Sequence, residues 1–352
     1  MRIAYHFGPG AYAWLGGHLV RLEERYRQCV VVIGCGKVES EDEISPWGTA
    51  FIVGVGDGPA KPIMYLVTAW HVVAQHFDVP FHVRFNKRAG GAKTHLIENP
   101  HWIVHPTDNT VDVAVHEITI PDWAHYTFIP KYPNILLDDR MDLKNIGAGN
   151  RTYTVGLWKF LSGDRRNQPF VYTGHIGLIP EDQLIPVRPW LREHGGKVQV
   201  EAYLVEGEPI DGASGSPVFV RHTIQTATIQ PDAQLKAKKV TAWIEGSVWL
   251  LGLQSDAFVG VPGEDYEIPR SGQQVVVPRG VNVVVPSMKI VEVLDHPKLV
   301  AAREAVEKQH EQDQMPVKLS ALPTTADNLQ HREDFNRLLG AATRKLPPAD
   351  QT

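Results

Sequence analysis

The chain has 352 residues, 43% of them hydrophobic and 21% charged, with a formal net charge of −5. That balance allows a sizeable buried core and excludes a wholly disordered chain. It supplies no strong positive field, which argues against nucleic acid as the main partner.

In chain order, Leu15, Leu19, Leu22 and Tyr26 fall at helical spacing. They predict a short amphipathic helix over Trp14–Gln28, within an N-terminal extension of residues 1–28. From Cys29 onward, short runs rich in Val, Ile, Thr and aromatics alternate with Gly, Pro, Asn and Asp. The runs are Cys29–Gly34, Thr49–Val55, Ile63–Thr68, Phe81–Phe85, Val111–Ile118, Arg151–Leu157, Val171–Ile179, Val198–Val205, Ser216–Val220, Val248–Leu253 and Val281–Val285. Many short strands with turn signals between them predict an all-β sandwich or barrel.

Three polar stretches read as connections: Pro121–Asn150, Gln225–Lys239 and Pro262–Arg279. After Pro286 the pattern turns helical. Ser287 is a candidate N-cap, and Ile290, Val291 and Leu294 form an apolar stripe. Lys298–Gln309 predicts a second helix, and the polar segment beyond it reads as a flexible tail.

Cys29 and Cys35 are the two cysteines. In one extended strand they stand about 20 Å apart, beyond the roughly 4.4–6.8 Å a disulfide spans. That suits a reducing compartment, and a cytoplasmic location is expected. No apolar run approaches the 18 or so residues a membrane helix needs, and no signal-peptide pattern is evident, so no membrane partner is expected.

Three segments carry the chemistry. Thr68-Ala69-Trp70-His71 follows a strand, Asp112-Val113-Ala114-Val115 opens one, and Gly212-Ala213-Ser214-Gly215-Ser216-Pro217 is a glycine-flanked serine turn. Together they resemble the signatures of the trypsin-like (chymotrypsin-fold) serine peptidases, of bacterial or intracellular type, in the family's order of His, Asp, Ser. Trp47-Gly48-Thr49-Ala50-Phe51 resembles the family's strand before the histidine, and Leu250–Ser255 the strand lining the cleft. The resemblance covers roughly Cys29–Leu294.

It implies a double six-stranded antiparallel β-barrel with short N- and C-terminal helices. The first barrel, residues 29–120, holds His71 and Asp112. A connection over 121–148 leads to the second, residues 149–294, which holds Ser214 and a closing helix. A helical then flexible tail covers 295–352. The implied activity is a serine endopeptidase. His71 acts as base, Asp112 orients it, Ser214 attacks, and the N–H groups of Gly212 and Ser214 form the oxyanion hole. No cofactor or metal is expected: no His-Glu-x-x-His or Cys/His cluster occurs. The rival reading is a latent or inactive domain of this type, acting as a protein-binding module.

Two departures stand out. Trp70 is bulky beside the histidine, which requires altered local packing. Ala213 replaces the aspartate that pairs with a new N-terminus in some zymogens, so N-terminal cleavage is not the expected switch. The offset of Glu208 from the serine marks it as a candidate pocket base, with Glu206 and Asp211 as rivals. Ser255 and Ala257 are candidate pocket-wall residues. The expected partners are a protein or peptide substrate and a regulatory protein. The loops Ile179–Lys197 and Pro262–Arg279 are the expected seat of control.

Overall fold

The computed structural model describes residues 5–6, 12–13, 22–37, 40–56, 61–135, 141, 145–159, 163–187, 198–208, 210–229, 240–260 and 277–314. Residues 1–305 form one compact unit and residues 306–352 another. The site lies within the first. The predicted N-terminal helix is described over its last turn, Arg25–Gln28, with Leu22 and Tyr26 buried as its spacing requires. Residues 14–21, most of the predicted tail and most of the two control loops lie outside the described residues.

The chain is mainly β. Its N-terminal part forms a nine-stranded sheet. Val30–Gly36, Ile44–Val55 and Ile63–Thr68 pair antiparallel as its centre. Phe81–Lys87 joins one side of this centre and Ala114–Glu117 the other. Four strands that the sequence does not announce extend it: Ala92–Ile97, Ile103–Val104, Ala124–His125 and Ile129–Pro130. Three of these are two residues long and leave no alternation to read. The fourth, with Lys93, Thr94 and His95, lacks a clear apolar face. The expected six-stranded first barrel is therefore a larger sheet.

The second sheet closes as a six-stranded antiparallel barrel. Around it run Arg151–Gly156, Phe170–Leu178, Tyr203–Glu206, Val277–Pro286, Val240–Gly260 and Pro217–Ile229. Pro217–Val220 is buried throughout because it has apolar neighbours on both faces. Val218 and Val220 pack with Leu251 and Val284, while Phe219 joins a core containing Phe51, Leu250 and Ile290. The predicted Gln225–Lys239 connection is corrected in part. The strand continues to Ile229 and pairs with Val240–Gly260, as its Thr-Ala-Thr-Ile alternation permits.

Ser287–Leu294 closes this unit, burying Ile290, Val291, Val293 and Leu294. Pro286 takes the cap position, so Ser287 is the first helical residue rather than the N-cap. The last helix, Pro297–Gln314, is longer than expected and starts on proline, whose missing N–H costs nothing at that position.

Candidate active site

His71 lies in a one-turn helix, Trp70–Val73, directly after the buried strand Ile63–Thr68. Asp112 lies in the loop before Ala114–Glu117, not in a strand as the pattern suggested. The Asp112 side chain is 5% exposed and accepts three hydrogen bonds. His71 Nδ1 lies 2.7 Å from its Oδ2, the His71 backbone N–H donates to Oδ1 at 2.9 Å, and the Ser255 hydroxyl donates to Oδ2 at 2.5 Å. The carboxylate therefore fixes the Nδ1–H tautomer and leaves Nε2 as the basic position. Trp70 has the room it needs by packing edge-on to Phe77, with ring centroids 5.1 Å apart.

The charges answer one another. Burial pulls the His71 ring down, but the Asp112 carboxylate and its hydrogen bond outweigh that, and Asp256 adds to them. The net position lies above the usual imidazole value. Burial pushes Asp112 up, yet the His71 ring and the Ser255 hydroxyl hold it below the usual carboxylate range. Burial pushes the Cys29 thiol up to about 12, so it stays neutral and unreactive.

Ser214 connects to this group through Ser255. Its Oγ donates to the Ser255 carbonyl at 3.3 Å, while the Ser255 side chain holds Asp112. Gly212 and Gly215 give the serine turn its shape with φ of +93° and +85°, values that disfavour any side chain. A Cβ on Gly215 would also overlap the Thr49 carbonyl and the Thr68 hydroxyl.

A full count of the turn's polar groups identifies its spare donors. Lys159 N–H donates to the Asp211 carbonyl at 2.9 Å, and the Thr49 hydroxyl to the Gly212 carbonyl at 2.7 Å. Ser216 N–H donates to the Ala213 carbonyl at 2.9 Å, and Thr49 N–H to the Ser214 carbonyl at 3.1 Å. The Ala213 N–H donates to Ile210 at 3.1 Å and the Gly215 N–H to Gln254 at 2.9 Å. From Gly212 to Ser216, among the described residues, the N–H groups of Gly212 and Ser214 are the two with no protein acceptor. A planar trans peptide holds its N–H opposite its C=O, so the bonds to the Asp211 and Ala213 carbonyls aim the Gly212 and Ser214 N–H groups, while Thr49 holds the two neighbouring peptides through the Gly212 and Ser214 carbonyls.

The candidate pocket residues fall differently. Glu208 is exposed on its loop, Ser255 is buried with its hydroxyl committed to Asp112, and Ala257 is half-buried. Glu206 is also exposed, bonded to His175. Behind the turn lies a neutral chain that the sequence reading did not find. The Tyr172 hydroxyl donates to Gln254 Oε1 at 2.5 Å, Gln254 Nε2 to Asn282 Oδ1 at 3.4 Å, and Asn282 Nδ2 to the Gly207 carbonyl at 3.2 Å. Thr49 was missed as well, though it sits in the recognised Gly-Thr-Ala-Phe segment. A further bond, from the Thr68 hydroxyl to its carbonyl at 2.7 Å, ties it to the strand leading to His71.

No family model and no curated protein matches the chain. Among solved structures it is similar to the HtrA-type protease AlgW, solved with a decapeptide. The identity is 14% and the TM-score 0.41, over 78% of this chain and 66% of that one. The chain thus spans slightly less than two thirds of AlgW. It is also similar to the active form of the Rv3671c protease from M. tuberculosis, at 13% identity and a TM-score of 0.37, over 76% of this chain and 80% of that one.

Proposed function

We propose that this chain is a trypsin-like serine endopeptidase acting through His71, Asp112 and Ser214. The observation that carries the reading is the pairing of an oriented imidazole with a serine turn that holds two spare N–H donors. In the proposed reaction the Ser214 hydroxyl turns from the Ser255 carbonyl toward His71 Nε2 and attacks a peptide carbonyl as its proton passes to the ring. Asp112 balances the imidazolium. The carbonyl oxygen becomes an oxyanion held by the Gly212 and Ser214 N–H groups; losing one such donor costs about 2.7–4 kcal/mol of barrier in serine peptidases. The imidazolium then protonates the leaving amine. Water, deprotonated by the same ring, releases the acyl group and restores Ser214.

In this reading residues 29–120 supply the base and its orienting acid, and residues 149–294 supply the nucleophile. Residues 1–28, 121–148 and 295–352 are accessory. The substrate is a protein or peptide, the protein works in the cytoplasm, and a regulatory protein partner is proposed. Among the described residues no helix is long and apolar enough to cross a membrane.

One observation favours a second reading, a latent binding module: the Ser214 hydroxyl is occupied by the Ser255 carbonyl. A fluorophosphonate probe separates the two. An active peptidase labels at Ser214, located by mass spectrometry, and Ser214→Ala abolishes labelling without changing the circular dichroism. An unlabelled, folded wild-type protein supports the latent module and overturns the peptidase.

A further inference from the structure

We propose that Thr49 is a positioning residue that locks the serine turn with its two N–H donors aimed at the reacting oxygen; this rests on the peptidase reading. Ala213 is buried and uncharged, so an ionic anchor through its side chain is absent at the position where the resemblance leads one to look for it. The turn must be held by other means, and the structure supplies a neutral clamp.

Thr49 is fully buried and lies in the strand Ile44–Val55, on a different sheet from the strands that flank the turn. Its hydroxyl donates to the Gly212 carbonyl and accepts the Leu157 N–H at 3.0 Å. Its own N–H takes the Ser214 carbonyl, and its carbonyl takes the Thr68 hydroxyl. One residue thus holds carbonyls on both sides of Ala213 and joins them to the segment preceding His71. Leu157 opens the companion piece: two residues on, the Lys159 N–H holds the Asp211 carbonyl, the other half of the peptide that carries the Gly212 N–H. A Cβ on Gly212 would stand 3.2 Å from the Lys159 nitrogen and 3.4 Å from the Leu157 carbonyl, so the 157–159 segment abuts the turn directly.

The hydroxyl is the replaceable part. Thr49→Val keeps the shape and the backbone bonds but removes one donor and one acceptor. The Gly212 carbonyl and the Leu157 N–H then lose a buried partner, and the turn can rotate to find others. A donor displaced by about 1 Å is worth of order a hundredfold in rate.

The test compares wild type, Thr49→Val and Thr49→Ser in the full chain. It reads the limiting rate of Ser214 labelling by a fluorophosphonate, its pH midpoint and the thermal midpoint. The expected result is a ~10- to 100-fold slower limiting rate for Thr49→Val. The pH midpoint should be unchanged, because His71 and Asp112 are untouched, and Thr49→Ser should restore the rate to within about threefold, since it restores the hydroxyl. Thr49→Ala removes the same hydroxyl with less bulk; it should slow labelling similarly and carries the test if Thr49→Val does not fold. Wild-type rates in Thr49→Val, or in Thr49→Ala when it stands in, overturn the proposal and leave the peptidase reading intact. So does a loss that Thr49→Ser fails to restore. A wild-type protein that never labels overturns both.

Discussion

The N-terminal sheet and the C-terminal barrel differ in their buried polar groups: the first part buries the ionisable Arg84, Asp112 and His116, the second a neutral set. The sheet packs Phe51, Tyr65, Phe81 and Phe85 with aliphatic neighbours. The barrel holds the Tyr172–Gln254–Asn282 chain, together with the Thr152 and Ser216 hydroxyls, which have no protein partner among the described residues. Buried neutral polar groups are costly unless bonded, and they specify geometry when they are. The base and its acid sit beside the aromatic packing, and three hydrogen bonds to the Asp112 carboxylate fix them there. The serine turn sits beside the polar part, where several backbone groups must each be aimed.

This contrast can be broken or sharpened by substitution. The largest effect is expected at the acid: Asp112→Asn should slow Ser214 labelling by about 10⁴-fold, as the wrong imidazole tautomer becomes favoured. Retained labelling would remove Asp112 from the site. Next, Phe51→Ala in the fully buried apolar core should lower the urea unfolding free energy by about 3–5 kcal/mol. A smaller loss is expected in the barrel. Asn282→Ala strips partners from Gln254 and the Gly207 carbonyl and should cost about 1–3 kcal/mol in the same assay. If Asn282→Ala costs more than Phe51→Ala, the amide chain and not the apolar core dominates.

The smallest effect concerns pH. The attacking proton needs a neutral His71, so labelling rises as pH passes the ring's pKa, which lies above the usual value. Removing the Asp256 charge withdraws one cause of that elevation. Asp256→Asn should therefore move the labelling midpoint to lower pH, by a small amount because the side chain is exposed to screening. A midpoint that stays put or rises would exclude Asp256 as a neighbour of the ring.

The sequence exposed the all-β class through its short β-branched runs, and its three ordered motifs single out His71, Asp112 and Ser214 as candidates. These features are local, and local residues suffice to read them. The two-residue strands Ala124–His125 and Ile129–Pro130 were illegible because pairing partners, not side-chain pattern, create them. Ser255 was read as a pocket wall because its position along a cleft strand says nothing of where its hydroxyl points. Thr49 lay within a recognised segment, but its role depends on Gly212 and Leu157, more than a hundred residues away. Glu208, singled out by its offset from the serine as a candidate pocket base, lies exposed on its loop.

The bonds that hold the serine turn join uncharged dipoles: hydroxyls, peptide N–H groups and carbonyls. Mobile ions screen charges beyond about 10 Å at 0.1 M and 3 Å at 1 M, and they have little purchase on such short neutral contacts. Ionic strength therefore has no handle on the shape of the turn. A halophilic setting and a dilute one present the same arrangement of donors, and salt acts instead on charges such as the exposed Asp256, whose pull on the His71 ring it weakens.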